Sequence, residues 1–207
     1  EKMICSSLCD FAHETASESP APGGGSVAAY LAVLAASLGG MVANLSANKK
    51  GWEDRWKEFS DQAEKAEEYK NELLRMVDAD TKDFQGVIQA RALPKSSQEE
   101  NELRQKAIKK ATAKAIDVPF RVMKLALDSM QFIQTMALQG NPNSVSDAGV
   151  AAICARSAVL GAALNVRINA AGKETAERIS ALLAEAKKME AEAVLREVEI
   201  LQLVNLR

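Results

Sequence analysis

The stretch SVAAYLAVLAASLGGMVANLSAN, Ser26 to Asn48, is small or apolar on every side of a helical wheel. A helix with one apolar stripe sits at a protein surface, whereas one that is apolar all round lies inside a core or a membrane. Its centre, Val27 to Leu45, approaches membrane-spanning length. It is nevertheless built from Ala, Gly and Ser, is interrupted by Asn44, and stands in a chain with 26% charged residues, so it reads as a buried helix. Ala28, Ala29, Ala32, Ala35, Ala36, Gly39 and Gly40 leave room for neighbouring backbones to come close. A second helix of this kind spans about Ser146 to Ala170, and Ala171-Gly172 breaks it.

The rest of the chain supplies elements to cover these two. A first helix is expected from Lys2 to Ser17, ended by Ser19-Pro20-Ala21-Pro22-Gly23-Gly24-Gly25-Ser26, where prolines and glycines forbid regular structure. A long amphipathic helix follows from about Trp52 to Leu93, with Pro94 marking its end. Another runs from Glu99 to about Leu138, bent at Pro119. The last, Glu174 to about Gln202, carries Ile179, Leu182, Ala186, Met189 and Ala193 on one face. Aromatic residues are only 4%, which offers little for a sheet. The expectation is one all-α domain over residues 1–207, a bundle of long helices around two buried small-residue helices. Helices near 40 residues would be about 60 Å long, more than one small domain covers, so a homodimer is expected.

A net charge of −2 with no long basic run speaks against nucleic-acid or membrane-surface binding. Three cysteines and no recognisable signal peptide point to a reducing cytoplasm. Cys5, Cys9 and His13 would stack on the first helix and could hold a metal, but small residues packing on a helix face account for them as well, and no metal is expected.

The chemistry is carried by a misplaced carboxylate. In Leu73-Leu74-Arg75-Met76-Val77-Asp78-Ala79-Asp80-Thr81-Lys82-Asp83-Phe84, the residues Leu73, Val77, Phe84 and Val87 form one helical stripe, and Asp80 falls on its centre line. A core-facing carboxylate is costly unless hydrogen-bonded or protonated, and burial raises its pKa toward the range useful for proton transfer. A structural Asp satisfied by a neighbouring helix is the alternative. The Pro22-Gly23-Gly24-Gly25-Ser26 turn opens a helix N-terminus that favours a polar or anionic ligand, though a tight interhelical turn would look the same. It lacks the Gly-Lys-Ser/Thr of a P-loop. In Gly140-Asn141-Pro142-Asn143-Ser144-Val145-Ser146-Asp147, Ser144 or Ser146 can cap the next helix and Asp147 sits in its first turn. Asn165 and Asn169 interrupt the same apolar helix one turn apart and face either a ligand or another helix. Arg156 and Arg167 read as ion-pair partners, and Lys49 and Lys50 as helix-end charges able to meet a carboxylate.

Taken together, Pro22-Gly23-Gly24-Gly25-Ser26, Lys49-Lys50, Val77-Asp78-Ala79-Asp80, Gly140-Asn141, Ser146-Asp147 and Asn165-Val166-Arg167-Ile168-Asn169 resemble the cyclodeaminase/cyclohydrolase family of folate enzymes. The resemblance runs in order along almost the whole chain. It implies an all-helical, dimeric enzyme acting on a one-carbon unit carried by tetrahydrofolate, with Asp80 as the catalytic residue. Its implied substrate contacts are Gly23, Gly24, Gly25, Ser26, Lys49, Asn141, Asp147 and Asn165, with Lys49 at the glutamate tail. The leading expectation is a formiminotetrahydrofolate cyclodeaminase releasing ammonia, as in histidine degradation. The alternatives are a methenyltetrahydrofolate cyclohydrolase and a non-catalytic helical binding protein. No tightly bound cofactor is implied, and a separate glutamate formiminotransferase would supply any formimino group.

Overall fold

The computed structural model describes residues 3–172 and 176–207, and every described regular element is helical. Six α-helices follow in order: α1 Leu8–Thr15, α2 Gly24–Ala47, α3 Trp56–Ala92, α4 Gln98–Gln139, α5 Val145–Ala170 and α6 Glu177–Asn205. Helices α2 and α5 lie side by side at the centre. Helix α4 packs across both, α3 flanks α2, and α6 flanks α5. The bundle anticipated from the two small-residue stretches is therefore present, with those stretches as its core pair.

Small side chains are what permit this arrangement. Ala29, Ala32, Ala35, Ala36 and Ala43 of α2 and Ala151, Ala155, Ala158, Val159 and Ala163 of α5 are fully excluded from solvent. Any Cβ on Gly39 would run into the Phe132 ring of α4, so the closest approach of α2 to α4 depends on that glycine. Gly24–Ala47 and Pro142–Ala170 are long and apolar enough to cross a membrane, but 61% and 50% of their most apolar windows are buried inside the bundle. Burial of that order is what core helices show.

Two local features differ from the sequence expectation. The N-terminal segment is broken into a 3-10 turn, Met3–Cys5, and α1, because the Ser7 hydroxyl accepts the Asp10 N–H at 3.1 Å and starts a new helix. Cys5 therefore lies off the helix of Cys9 and His13, both cysteines are exposed, and no metal-ligating cluster exists among the described residues. Ser144 occupies the N-cap position of α5, yet its hydroxyl donates to the Asn141 carbonyl at 3.1 Å instead of accepting a cap bond. Lys2 and Glu174, the expected first residues of the outer helices, lie outside the described residues.

Helix α4 runs through Pro119 without interruption. Proline has no N–H, so the carbonyl one turn earlier, that of Ala115, loses its helical donor. The Asn169 side chain of α5 replaces it, donating Nδ2–H to the Ala115 carbonyl at 2.7 Å. One of the two polar interruptions of α5 is thus explained by a proline on another helix.

Candidate active site

Helix α2 begins at the triple glycine. Gly23 is its N-cap in extended conformation (φ −119°, ψ −163°) and offers no side chain to cap the first N–H groups. The group that fills this role comes from α3. The Ser26 hydroxyl donates to Asp80 Oδ2 at 3.0 Å, and the Ser26 backbone amide also favours that carboxylate. A Cβ on Gly25 would lie 2.6 Å from Oδ2, so the α2 backbone rests directly against the Asp80 carboxylate. Glycine is required here by contact.

The electrostatics of Asp80 are a competition. Desolvation penalises its charged form most, and the negative charge of Asp83 adds to that. The Ser26 hydrogen bonds oppose both effects. The balance raises the Asp80 pKa above the ordinary carboxylate range. Asp80 therefore caps the start of α2 while its carboxylate is held partly desolvated. Asp78, which the helical pattern put off the stripe, accepts the Ile4 backbone N–H at 3.3 Å and anchors the N-terminal turn on α3.

Asp80 stands in the wall of a cleft of about 480 Å³. Gly23, Gly24 and Gly25 form one edge and Asn165 and Asn169 of α5 another, with Phe84, Val87 and Arg91 continuing along α3. Ser26 is fully buried behind this surface and acts on Asp80. The Asn165 amide donates to the Gly161 carbonyl of its own helix at 2.9 Å, which fixes its orientation beside Gly24. Phe84 corrects the simple stripe reading. It is 43% exposed and lines the open cleft, because the core ends where α3 runs past α2. Continuing the stripe beyond Phe84 would have picked out Arg91, which residue-type patterns did not.

The remaining sequence candidates lie at the other end of the bundle. Helix α2 has 24 residues, so its two ends are separated by about 36 Å. Lys49 follows its C-terminus and stacks on the Trp52 ring at 3.9 Å. Asn141 closes the same end: its N–H donates to Ser46 Oγ at 2.8 Å and its Nδ2 reaches the Leu45 carbonyl at 3.4 Å. Asp147 is half-buried in the first turn of α5, about 27 Å along that helix from Asn165. A single chain therefore joins Gly23, Gly24, Gly25, Ser26, Asp80 and Asn165, and does not bring Lys49, Asn141 or Asp147 to them. Arg156 and Arg167 face α6, pairing with Glu197 at 2.8 Å and Glu190 at 2.7 Å.

A profile of the formiminotransferase-cyclodeaminase family matches residues 7–188. The methenyltetrahydrofolate cyclohydrolase of Methylorubrum extorquens is 35% identical over 183 residues, covering 85% of this chain and 88% of that protein. The formimidoyltransferase-cyclodeaminase of Mus musculus is 32% identical over 194 residues, 90% of this chain but only 36% of its own length. This chain thus spans about a third of that relative. The crystal structure of a formiminotetrahydrofolate cyclodeaminase from Thermotoga maritima superposes with a TM-score of 0.83 at 29% identity, covering 97% of this chain and 96% of that one. With the match running from Ser7 through α5 and into α6, this chain belongs to the formiminotransferase-cyclodeaminase family.

Proposed function

We propose that this chain is a folate one-carbon enzyme that closes formiminotetrahydrofolate to methenyltetrahydrofolate with loss of ammonia. The observation that carries the reading is the Asp80 carboxylate, desolvated yet hydrogen-bonded by Ser26, in the wall of a cleft large enough for a pterin. In this reaction a folate nitrogen attacks the formimino carbon of the same molecule, so the protein need only orient the two groups and move protons. Asp80 takes the proton from the attacking nitrogen, returns one to the departing amine, and offsets the positive charge that develops on the amidine. Proton transfer and ring closure call for no redox cofactor. The glycine edge lets the flat ring lie against backbone, and Asn165 and Asn169 present amides to it.

The cyclohydrolase reaction is the second reading, supported by the similarity to the Methylorubrum protein along nearly its whole length. There Asp80 would deprotonate the water that attacks the methenyl carbon. Methenyltetrahydrofolate absorbs in the near ultraviolet, so one assay distinguishes the readings. Growth of that band from formiminotetrahydrofolate supports the cyclodeaminase, and accelerated decay of methenyltetrahydrofolate in water supports the cyclohydrolase. No change with either leaves a binding protein. Asp80→Asn should abolish turnover in a folded protein, and near-normal activity would remove Asp80 from the mechanism.

The functional unit in this proposal is a cytoplasmic homodimer. Val27, Leu31, Leu34, Leu38, Met41 and Leu45 recur every three or four residues along the outer face of α2, with Leu34, Met41 and Leu45 exposed. Leu164 and Ile168 of the adjacent α5 are 62% and 71% exposed. A second copy related by a two-fold axis across this stripe would cover both helices and set the Lys49 end of one α2 against the Gly23 end of the other. Lys49, Asn141 and Asp147 would then complete the cleft across the interface. Mixing Asp80→Asn with Asp147→Ala subunits should restore activity to two inactive preparations, whereas a monomer by sedimentation would exclude the arrangement.

A further inference from the structure

Beyond Asp80, helix α3 carries an ordered row of unlike side chains along the floor of the same cleft. Asp80, Phe84, Val87 and Arg91 are spaced by four, three and four residues, which places all of them on one helical face. At the helical rise, Phe84, Val87 and Arg91 lie about 6, 10 and 16 Å beyond Asp80. Phe84 is 43% exposed and offers its ring to the cleft. Arg91 is exposed at the mouth and makes no ion pair among the described residues. Its backbone is held in place, because Arg104 of α4 donates Nε–H to the Arg91 carbonyl at 3.1 Å. The cleft is also polarised. Its acidic residues, Asp80 and Asp83, lie toward one end, and its one cationic side chain among the described residues is Arg91 at the other.

That order matches a ligand with a nitrogen-rich reacting head, an aromatic middle and a carboxylate at the far end. The aminobenzoyl-glutamate arm of a reduced folate measures about 10 Å from bridge carbon to α-carboxylate when ordinary bond lengths are summed. Helical side chains lean toward the N-terminus, so the long Arg91 side chain leans back toward Phe84 and closes the remaining gap. We propose that Arg91 is the carboxylate anchor of the cleft, taking the glutamyl α-carboxylate while Phe84 and Val87 carry the aminobenzoyl ring. This rests on the folate reading above, and it moves the anchoring duty expected of Lys49 to a residue of the chain that supplies Asp80. A guanidinium pairs with a carboxylate through two parallel N–H donors, which a lysine cannot reproduce.

The test compares methenyltetrahydrofolate with its des-glutamyl counterpart, methenyltetrahydropteroate, on the wild-type chain and on Arg91→Ala. Formimino derivatives of the same two skeletons serve as the second substrate pair. Loss of the anchor should raise KM for the glutamyl substrate about tenfold, the range of a charge-assisted hydrogen bond, with kcat nearly unchanged. KM for the des-glutamyl substrate should be the same in both proteins, and Arg91→Lys should recover part of the loss. An unchanged KM in Arg91→Ala, or an equal rise for both substrates, would overturn the assignment. Wild type inactive on all four compounds would instead refute the folate reading and the anchor with it.

Discussion

Replacing Gly25 by Ala separates stability from catalysis at the point where α2 touches Asp80. Considered alone, the substitution favours the fold. Ala is about 1 kcal/mol better than Gly within a helix, partly because the unfolded chain has less freedom to lose. The new methyl group, however, would sit 2.6 Å from Asp80 Oδ2 and closer still to Oδ1. Overpacking of this kind costs about 1–3 kcal/mol, so the net loss of stability should stay within about 2 kcal/mol and the protein should remain folded. The cheapest relief is rotation of the Asp80 carboxylate away from α2, which breaks its 3.0 Å bond to Ser26 Oγ. Displacement of a proton-transfer group by about 1 Å lowers turnover on the order of 10²-fold. Urea unfolding and the near-ultraviolet folate assay on the same preparation measure the two effects. A folded Gly25→Ala protein with kcat within about twofold of wild type would refute the claim that this contact positions the carboxylate, since removing general acid–base catalysis costs 10²-fold or more.

Other outcomes follow from the same contacts. Asp83 lifts the Asp80 pKa by like charge, so Asp83→Asn should move the acid limb of kcat/KM to lower pH, whereas Ser26→Ala should move it higher by removing a donor to the charged form. Because the folded pKa of Asp80 lies above its unfolded value, its contribution to stability is full below the unfolded pKa and is lost as pH rises through the folded one. Asp80→Asn should accordingly be at least as stable as wild type at neutral pH by thermal denaturation, and a large loss would show that Asp80 serves chiefly as a cap. Asn169→Ala leaves the Ala115 carbonyl without a donor and should cost about 1–3 kcal/mol. In the Pro119→Ala background that cost should shrink, since residue 119 regains an N–H, and additive effects in the double variant would disprove the substitution of one donor for the other. Gly39→Ala should cost about 1–3 kcal/mol in urea unfolding by driving a methyl group into Phe132.

Helix identity was legible wherever periodicity ran for several turns. Helices α2 and α5 declared themselves by being apolar all round, and Asp80 by standing on an apolar stripe. These are properties of neighbours along the chain, and the geometry of one helix is enough to interpret them. The N-terminal break was missed because a local cap at Ser7 outweighed a weak helical pattern. Asn169 could not be interpreted from its own helix, since its partner exists only because Pro119 lies on α4.

The grouping of site residues required the tertiary structure, for the reason that sequence motifs carry order but no distance. Gly25 and Asp80 are separated along the chain yet touch, because α3 runs beside the start of α2. Asp147 and Asn165 share one helix and belong to opposite ends of the bundle. Composition and periodicity alone thus determined an all-helical core with one acidic side chain aimed at it. The packing of α2, α3 and α5 decided that this carboxylate meets a glycine turn and an asparagine in one cleft, because only close approach of separate helices can desolvate a charge and supply its hydrogen bonds at once.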